Sequence, residues 1–300
     1  MRFPDKMLED KNPTRSLSSR IRMLVIDIDG TLLNPEGQIT PATMKSVQAA
    51  QAAGIVVTLA TARRYANTKK IAHELDLQGP LVLYDGAKIV QHPQGNILYN
   101  RPLAAHLAQE SVDILVKHGV QPVVHPNDGL VEEVWTGLVE FDNVWLDAYF
   151  EVYRNKIRRM PFTQLCAGHP DPIRVVAFTS EESIQHAIPD IATLPCSWNM
   201  IPRGSYGCAE LVVMDPGCSK ASGVAALASA LSIPLPEVMA IGDNNNDIPM
   251  LQSVGWGVAM GQANAHVKAA ADAITATSNE DGAAQAIERY ALKATTQLKP

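Results

Sequence analysis

The sequence predicts an α/β protein in which a doubly wound, mostly parallel sheet is interrupted by an inserted α+β domain. Three observations lead there. Short, β-branched, nearly continuous apolar runs alternate with helical stretches over residues 21–86. Hairpin-like and mixed patterning then replaces that alternation, and the α/β texture returns near residue 209. The expected division is therefore 21–86 plus 209–300 as one discontinuous domain, 87–208 as the insert, and 1–20 as a mobile extension of mixed charge without an apolar core.

Taken in order, Ile21-Arg22-Met23-Leu24-Val25-Ile26 reads as a strand buried on both faces of a parallel sheet, and it runs into Asp27-Ile28-Asp29-Gly30-Thr31. Thr40 suits an N-cap and Pro41 the first helical position, with Met44, Val47 and Ala50 on one face and Gly54 closing the helix. Ile55–Leu59 is a second strand ending in Ala60-Thr61-Ala62-Arg63, and helix through Leu75 leads to a third strand, Leu81–Tyr84, ending in Asp85-Gly86. Lys88-Ile89-Val90 and Asn96–Tyr99 flank His92-Pro93-Gln94-Gly95 as a hairpin that opens the insert. Within the insert, 106–118 reads as helix, 120–134 as strands about Asn127-Asp128-Gly129, 173–179 as strand and Ser180–Ala187 as helix. Glu210–Met214 resumes the first pattern, followed by a helix over Ser219–Leu231 and a strand, Val238–Ile241, running into Gly242-Asp243. A strand passes through Gly255-Trp256-Gly257, which reads as core and turn because its spacing is wrong for a dinucleotide fingerprint. The alanine-rich stretch 263–276 suits a packed surface helix.

Composition narrows the function classes. The chain has 300 residues, 46% of them hydrophobic and 19% charged, as in an ordinary globular protein of about two domains. A net charge of -6 without a basic run argues against nucleic acid and anionic membranes as partners. The uncharged stretch Ala221–Pro236 carries two prolines and is too short for a bilayer span, so no membrane segment is expected. Cys166, Cys196, Cys208 and Cys218 lack paired spacing, which fits a reducing, cytoplasmic compartment.

In open α/β sheets ligands gather beyond the carboxyl ends of the strands. There the sequence places Asp27 and Asp29, Thr61 with Arg63, and Asp243 followed by Asn246 and Asp247, with Lys220 at a helix start. Any one acid serves as an ordinary cap or turn former. Together they create a charge problem: two carboxylates ~4 Å apart repel by roughly 4 kcal/mol at an effective dielectric of ~20. A hard cation answers it, and an all-oxygen donor set favours Mg2+ over zinc or copper. The eight histidines offer no ligand pair at helical spacing. These features point to phosphoryl chemistry.

The set Asp27-Ile28-Asp29-Gly30-Thr31, Thr61, Lys220 within Gly217-Cys218-Ser219-Lys220, and Gly242-Asp243-Asn244-Asn245-Asn246-Asp247 resembles the four ordered motifs of the haloacid dehalogenase-like superfamily, specifically its Cof-type phosphatases. The resemblance spans residues 21–290 and implies a Rossmann-like core with a cap, or lid, inserted between the second and third motifs. It further implies that Asp27 is the nucleophile, that Asp29 is the acid and then the base, and that Thr61 and Lys220 hold the phosphoryl group with the backbone of Ile28 and Ala62, Arg63 and Asn246. Mg2+ would lie on Asp27, the Asp29 carbonyl and Asp243, with Asp247 behind them. The implied substrate is a small phosphorylated metabolite such as a sugar phosphate, and the lid would shield the acyl-phosphate from water.

Two positions depart from the family's usual pattern. Ala62 stands where glycine is common, a minor change unless that backbone needs positive φ. Asp85 stands where asparagine is common, and it is either a turn residue unrelated to substrate or an anion beside the phosphate pocket. Polar and aromatic residues of the insert, His125, Asp128, Trp135 and Arg203, could contact a substrate, but a lone residue of this kind in an α+β module is more often structural, and none is assigned to the site. Two other functions share the motifs: a phosphomutase, or a ligand-sensing protein on the same scaffold.

Overall fold

The structure, a computed structural model, describes residues 9–10, 20–130, 133–153, 156–202, 204 and 206–292. It divides into two compact units, one comprising the chain through Tyr99 together with Ser219 onward, the other Asn100–Cys218. Arg203, one of the candidate insert residues, lies outside the described residues, as does most of 1–20.

In the first unit the elements run β1 (Glu9–Asp10), β2 (Met23–Ile26), α1 (Pro41–Ala52), β3 (Val56–Leu59), α2 (Tyr65–Glu74), β4 (Pro80–Leu83), β5 (Lys88–Gln91) and β6 (Asn96–Asn100). The second unit holds α3 (Ala105–Lys117), β7 (Pro122–His125), β8 (Val134–Gly137), α4 (Val144–Tyr153), β9 (Ile157–Met160), β10 (Arg174–Thr179), α5 (Glu181–Ile191), β11 (Ser197–Ile201) and β12 (Ala209–Met214). The chain then returns to the first unit as α6 (Lys220–Ala230), β13 (Val238–Gly242), α7 (Ile248–Ser253), β14 (Trp256–Ala259), α8 (Ala265–Ala270), β15 (Ala273–Ile274) and α9 (Gly282–Ala286).

The first unit's main sheet has the order β1-β15-β14-β13-β2-β3. Every pair in it is parallel except β1 with β15, and an isolated parallel bridge, Ala60 to Val82, carries the pattern on to β4. All four residues of β2 and all five of β13 are buried, as strands covered by helices on both faces must be. The chain builds outward from β2 on one side through β3 and on the other through β13, so the strand order reverses between β2 and β13. That reversal opens a crevice at their carboxyl ends.

Local signals account for the helices. The Thr40 hydroxyl accepts from the amide of Thr43, with Pro41 at the first position. The buried stripe of α1 is Thr43, Ser46, Val47 and Ala50, one turn position away from the expected Met44. Ser219 and Ser222 close a reciprocal cap at the start of α6. A core of Met23, Val25, Val82, Val224, Leu227, Ala240 and Leu251 packs α6 and α7 against β2, β4 and β13.

Three expectations change. The run Glu210–Met214 does not rejoin the parallel sheet: it is β12, antiparallel to β10 and β11 in the second unit's six-stranded sheet, ordered β11-β12-β10-β7-β8-β9. The hairpin after Gly86 belongs to the first unit, where β5 lies antiparallel to β4. The alanine-rich stretch 263–276 is helical only to Ala270. Asp272 breaks it, its amide donating to the Gly257 carbonyl at 2.8 Å and its carboxylate accepting from the Gly257 amide at 2.9 Å, so that β15 pairs with β14. In 1–20, Glu9–Asp10 pairs with β15. Among the described residues no helix is long and apolar enough to cross a membrane, and all four cysteines are free.

Candidate active site

The site is built at the carboxyl edge of the parallel strands. Asp27 comes directly after β2, its amide donating to the Ile241 carbonyl of β13 at 3.0 Å, and Asp243 comes directly after β13. Gly30 has φ +77°, and a Cβ there would lie 2.3 Å from Asp243 Oδ2, so only glycine lets the chain turn back beneath that carboxylate. Gly242 is constrained likewise, since a Cβ would meet the Asp247 carboxylate carbon at 2.5 Å.

Lys220, the first residue of α6, supplies the buried cation. Its Nζ donates to Asp27 Oδ1 and to Asp247 Oδ1, both at 2.7 Å, and the three side chains are 2%, 6% and 0% exposed. The other oxygen of Asp247 accepts from the amides of Asp243 and Asn244 at 3.1 and 3.0 Å, so this carboxylate is fully engaged in holding the loop and the lysine. The Thr31 hydroxyl donates to Asp243 Oδ1 at 3.4 Å.

One ammonium faces a cluster of carboxylates, and the proton affinities reflect it. Burial raises the Asp27 pKa well above the ordinary carboxylate value, Lys220 opposes the rise, and Asp247, Asp243 and Asp29 add to it. Burial also works against the Lys220 ammonium, but Asp247, Asp27 and Asp85 outweigh it and raise its pKa. Asp243 is pushed up to about 6 by burial and then by Asp247, against Lys220, Gln262 and Thr31. Carboxylate oxygens of Asp27, Asp243 and Asp247 lie within 4.8 Å of one another. A hard divalent cation fits this donor set, because its charge removes the penalty that holds these acids toward their protonated forms.

The other expected residues surround this cluster. Thr61 is buried after β3, its hydroxyl accepting from the Arg63 amide at 3.1 Å. Arg63 forks onto Asp29, Nε to Oδ2 at 2.8 Å and Nη2 to Oδ1 at 2.5 Å, orienting that carboxylate at the mouth of the site. Ile28 is buried next to Asp27. Ala62 is not among the described residues with positive φ, so the missing glycine costs the backbone nothing. Asp85 is buried in a left-handed turn at φ +51°, and Asn246 Nδ2 donates to it at 2.9 Å. It is thus a turn residue whose carboxylate also meets the Asn246 amide. Asp29, Asn34, Arg63, Asp243 and Gln262 line an open cleft of about 340 Å3.

Sequence reasoning missed Gln262. Its Nε2 donates to the Gly30 carbonyl at 2.5 Å and its Oε1 accepts from the Ser278 amide at 3.1 Å, tying the first loop to the segment just before α9. No local pattern marks it. In the second unit, His125 is buried, with Nε2 and the Tyr149 hydroxyl 2.6 Å apart, and Trp135 belongs to the apolar core. The Asp128 carboxylate caps the Glu133 amide at 3.2 Å. These three do structural work in that unit.

Comparison with known proteins agrees with this architecture. The family model for haloacid dehalogenase-like hydrolases matches residues 24–287. Among similar proteins is a 5-amino-6-(5-phospho-D-ribitylamino)uracil phosphatase of Bacillus subtilis, 29% identical over 277 residues, covering 91% of this chain and 96% of its own. A pyridoxal phosphate phosphatase of Escherichia coli is 25% identical over 271 residues, covering 89% and 97%. Among solved structures, the subclass IIB sugar phosphatase BT4131 superposes with a TM-score of 0.74 at 26% identity, covering 90% of this chain and 98% of that one.

Proposed function

Because the chain belongs to the haloacid dehalogenase-like hydrolases, we propose that it is a Mg2+-dependent phosphatase that hydrolyses a small phosphorylated metabolite, a sugar phosphate foremost, through an aspartyl-phosphate on Asp27. The observation that carries this reading is the buried contact of the Asp27 carboxylate with Lys220 at 2.7 Å, inside a cluster whose other members are carboxylates. The names of the relatives support the substrate class. Four free cysteines support a reducing, cytoplasmic setting.

In this mechanism Asp27 attacks phosphorus, an Asp27 oxygen–phosphorus bond forms, and the ester oxygen–phosphorus bond breaks. Asp29 gives its proton to the departing alkoxide. It then takes a proton from a water that attacks phosphorus, which frees inorganic phosphate and restores Asp27. Lys220 faces the phosphoryl oxygens and holds Asp27 in its attacking orientation, while Thr61 and the amides of Ile28 and Ala62 donate to the same oxygens. Arg63 keeps Asp29 aimed between these steps. Asp27, the Asp29 carbonyl and Asp243 would hold the Mg2+, with Asp247 positioning Lys220 and the loop. When bound, the ion supplies charge cancellation between two anions that otherwise repel.

The test is phosphate release from a panel of sugar phosphates and other phosphorylated metabolites, with and without Mg2+. Asp27→Asn abolishes release; turnover unchanged in that variant refutes the mechanism. Net phosphate release, as opposed to isomerised sugar phosphate, separates hydrolysis from mutase chemistry.

A further inference from the structure

We propose that Asp85 is a positioning residue of the phosphate site and acts through Asn246, its acceptor-only carboxylate holding the Asn246 amide in one of its two orientations. The proposal rests on the reading of this site as a phosphate-handling centre and adds a residue to it.

Asp85 is placed with unusual firmness. Tyr84 and Asp85 both take left-handed backbone, φ +52° and +51°, which side-chain-bearing residues keep only where surroundings impose it. The surroundings are the other loops of the site. The Asp85 amide donates to the Thr61 carbonyl at 3.0 Å and the Tyr84 amide to the Arg63 carbonyl at 3.2 Å. Gly86, at φ +94°, lies so close to α6 that a Cβ would come within 2.0 Å of the Ser219 carbonyl. The turn therefore joins the loop after β3 to the residue preceding Lys220, and presents a carboxylate that is 2% exposed.

That carboxylate meets Asn246 Nδ2 at 2.9 Å. A primary amide has nearly the same shape with its nitrogen and oxygen exchanged, so its orientation is set by its partner alone. A carboxylate accepts from the nitrogen and repels the oxygen, whereas an asparagine at position 85 pairs with either end. Asp85 thus turns Asn246 Oδ1 away from itself. That oxygen is buried and accepts no hydrogen bond among the described residues, which suits an acceptor kept for a ligand donor such as the hydroxyl of a phosphate monoanion. Asn246 directly precedes Asp247, whose carboxylate holds Lys220, so the oriented amide belongs to the same loop as the buried cation.

The test is binding of inorganic phosphate to the Mg2+-loaded protein by calorimetry, for Asp85→Ala, Asp85→Asn, Asn246→Ala and the doubles. Asn246→Ala weakens phosphate binding about five- to tenfold, Asp85→Ala weakens it by at least the roughly twofold of an amide left free to take both orientations, and the double variant is no weaker than Asn246→Ala. Asp85→Asn lets the amide divide between two orientations and weakens binding about twofold, the reciprocal of a competent fraction near one half. In the Asn246→Ala background that effect disappears. Should Asp85→Ala fail to fold, the Asp85→Asn pair of measurements decides alone. Multiplicative losses in the doubles overturn the proposal, as does phosphate affinity in Asp85→Ala equal to or tighter than wild type, with or without a lowered melting temperature. A protein that binds phosphate with this pattern yet hydrolyses no ester refutes the phosphatase reading and leaves the positioning role standing.

Discussion

Replacing Lys220 by methionine removes the ammonium while nearly keeping its volume, and tests what holds the site together. The lysine bonds Asp27 and Asp247 at 2.7 Å each, with all three side chains almost wholly buried. Each pair is worth roughly 4 kcal/mol of direct attraction at ~4 Å between charge centres and a dielectric of ~20. Relief of the ammonium's own desolvation, and proton uptake by the orphaned acids, return part of that. Removing one partner of a buried ion pair typically costs about 3–5 kcal/mol, which is a large share of the ~5–15 kcal/mol that stabilises most folded proteins. The pH dependence has a definite sign. Without Lys220 the folded state holds Asp27 still further above the ordinary carboxylate pKa, so it binds more protons than the unfolded chain and loses stability as pH rises. Urea titrations of the metal-free variant and wild type, followed by circular dichroism at pH 5 and pH 8, measure this. The deficit is about 3–5 kcal/mol at pH 8, smaller at pH 5, and narrowed by Mg2+, which supplies the missing positive charge. Equal stability of the two proteins at pH 8, to within ~0.5 kcal/mol, refutes the view that the lysine compensates these carboxylates.

Four further outcomes rest on the same geometry. Asp243, pushed up to about 6, must lose its proton to take a cation, so calorimetric Mg2+ affinity falls steeply as pH drops below about 6; a flat profile from pH 7 to 5 contradicts this. The same shift destabilises the metal-free protein by about 3 kcal/mol as pH rises from roughly 4 to 6, from ~1.36 kcal/mol per unit, a loss that urea titration reads directly. Gly30→Ala puts a methyl group 2.3 Å from Asp243 Oδ2 at φ +77°, and Mg2+ affinity drops at least tenfold while the second unit's hydrogen-exchange protection is unchanged. Arg63→Lys keeps the charge but loses the two-pronged hold on Asp29; kcat falls about tenfold with KM within twofold, and an unchanged kcat shows that Asp29 needs no such orientation.

Much of this protein was legible before folding because its signals are local. The apolar runs of β2, β3 and β13, the Thr40 cap with Pro41, and acids directly after strand ends depend on neighbours a few residues apart, and the chemistry of a strand exit is set by the next few side chains along the chain. Partnership is a different matter. Glu210–Met214 is an apolar run whose composition is the same whether it pairs parallel with β13 or antiparallel with β10, and only the folded chain selects the second. The alanine-rich stretch after Ala263 has helical propensity throughout, yet sheet pairing through Asp272 overrides it beyond Ala270. The contacts that make the site work join residues far apart: Lys220 to Asp27 across 193 positions, Asn246 to Asp85 across 161, Gln262 to the Gly30 carbonyl across 232. Such pairs carry no periodicity and no fixed spacing, since three-dimensional packing alone sets which side chains share a buried volume. Residue types at strand ends could therefore announce an acidic, cation-seeking phosphate site, while the orientation of Asp29 by Arg63 and of Asn246 by Asp85 existed only once the loops had been brought together.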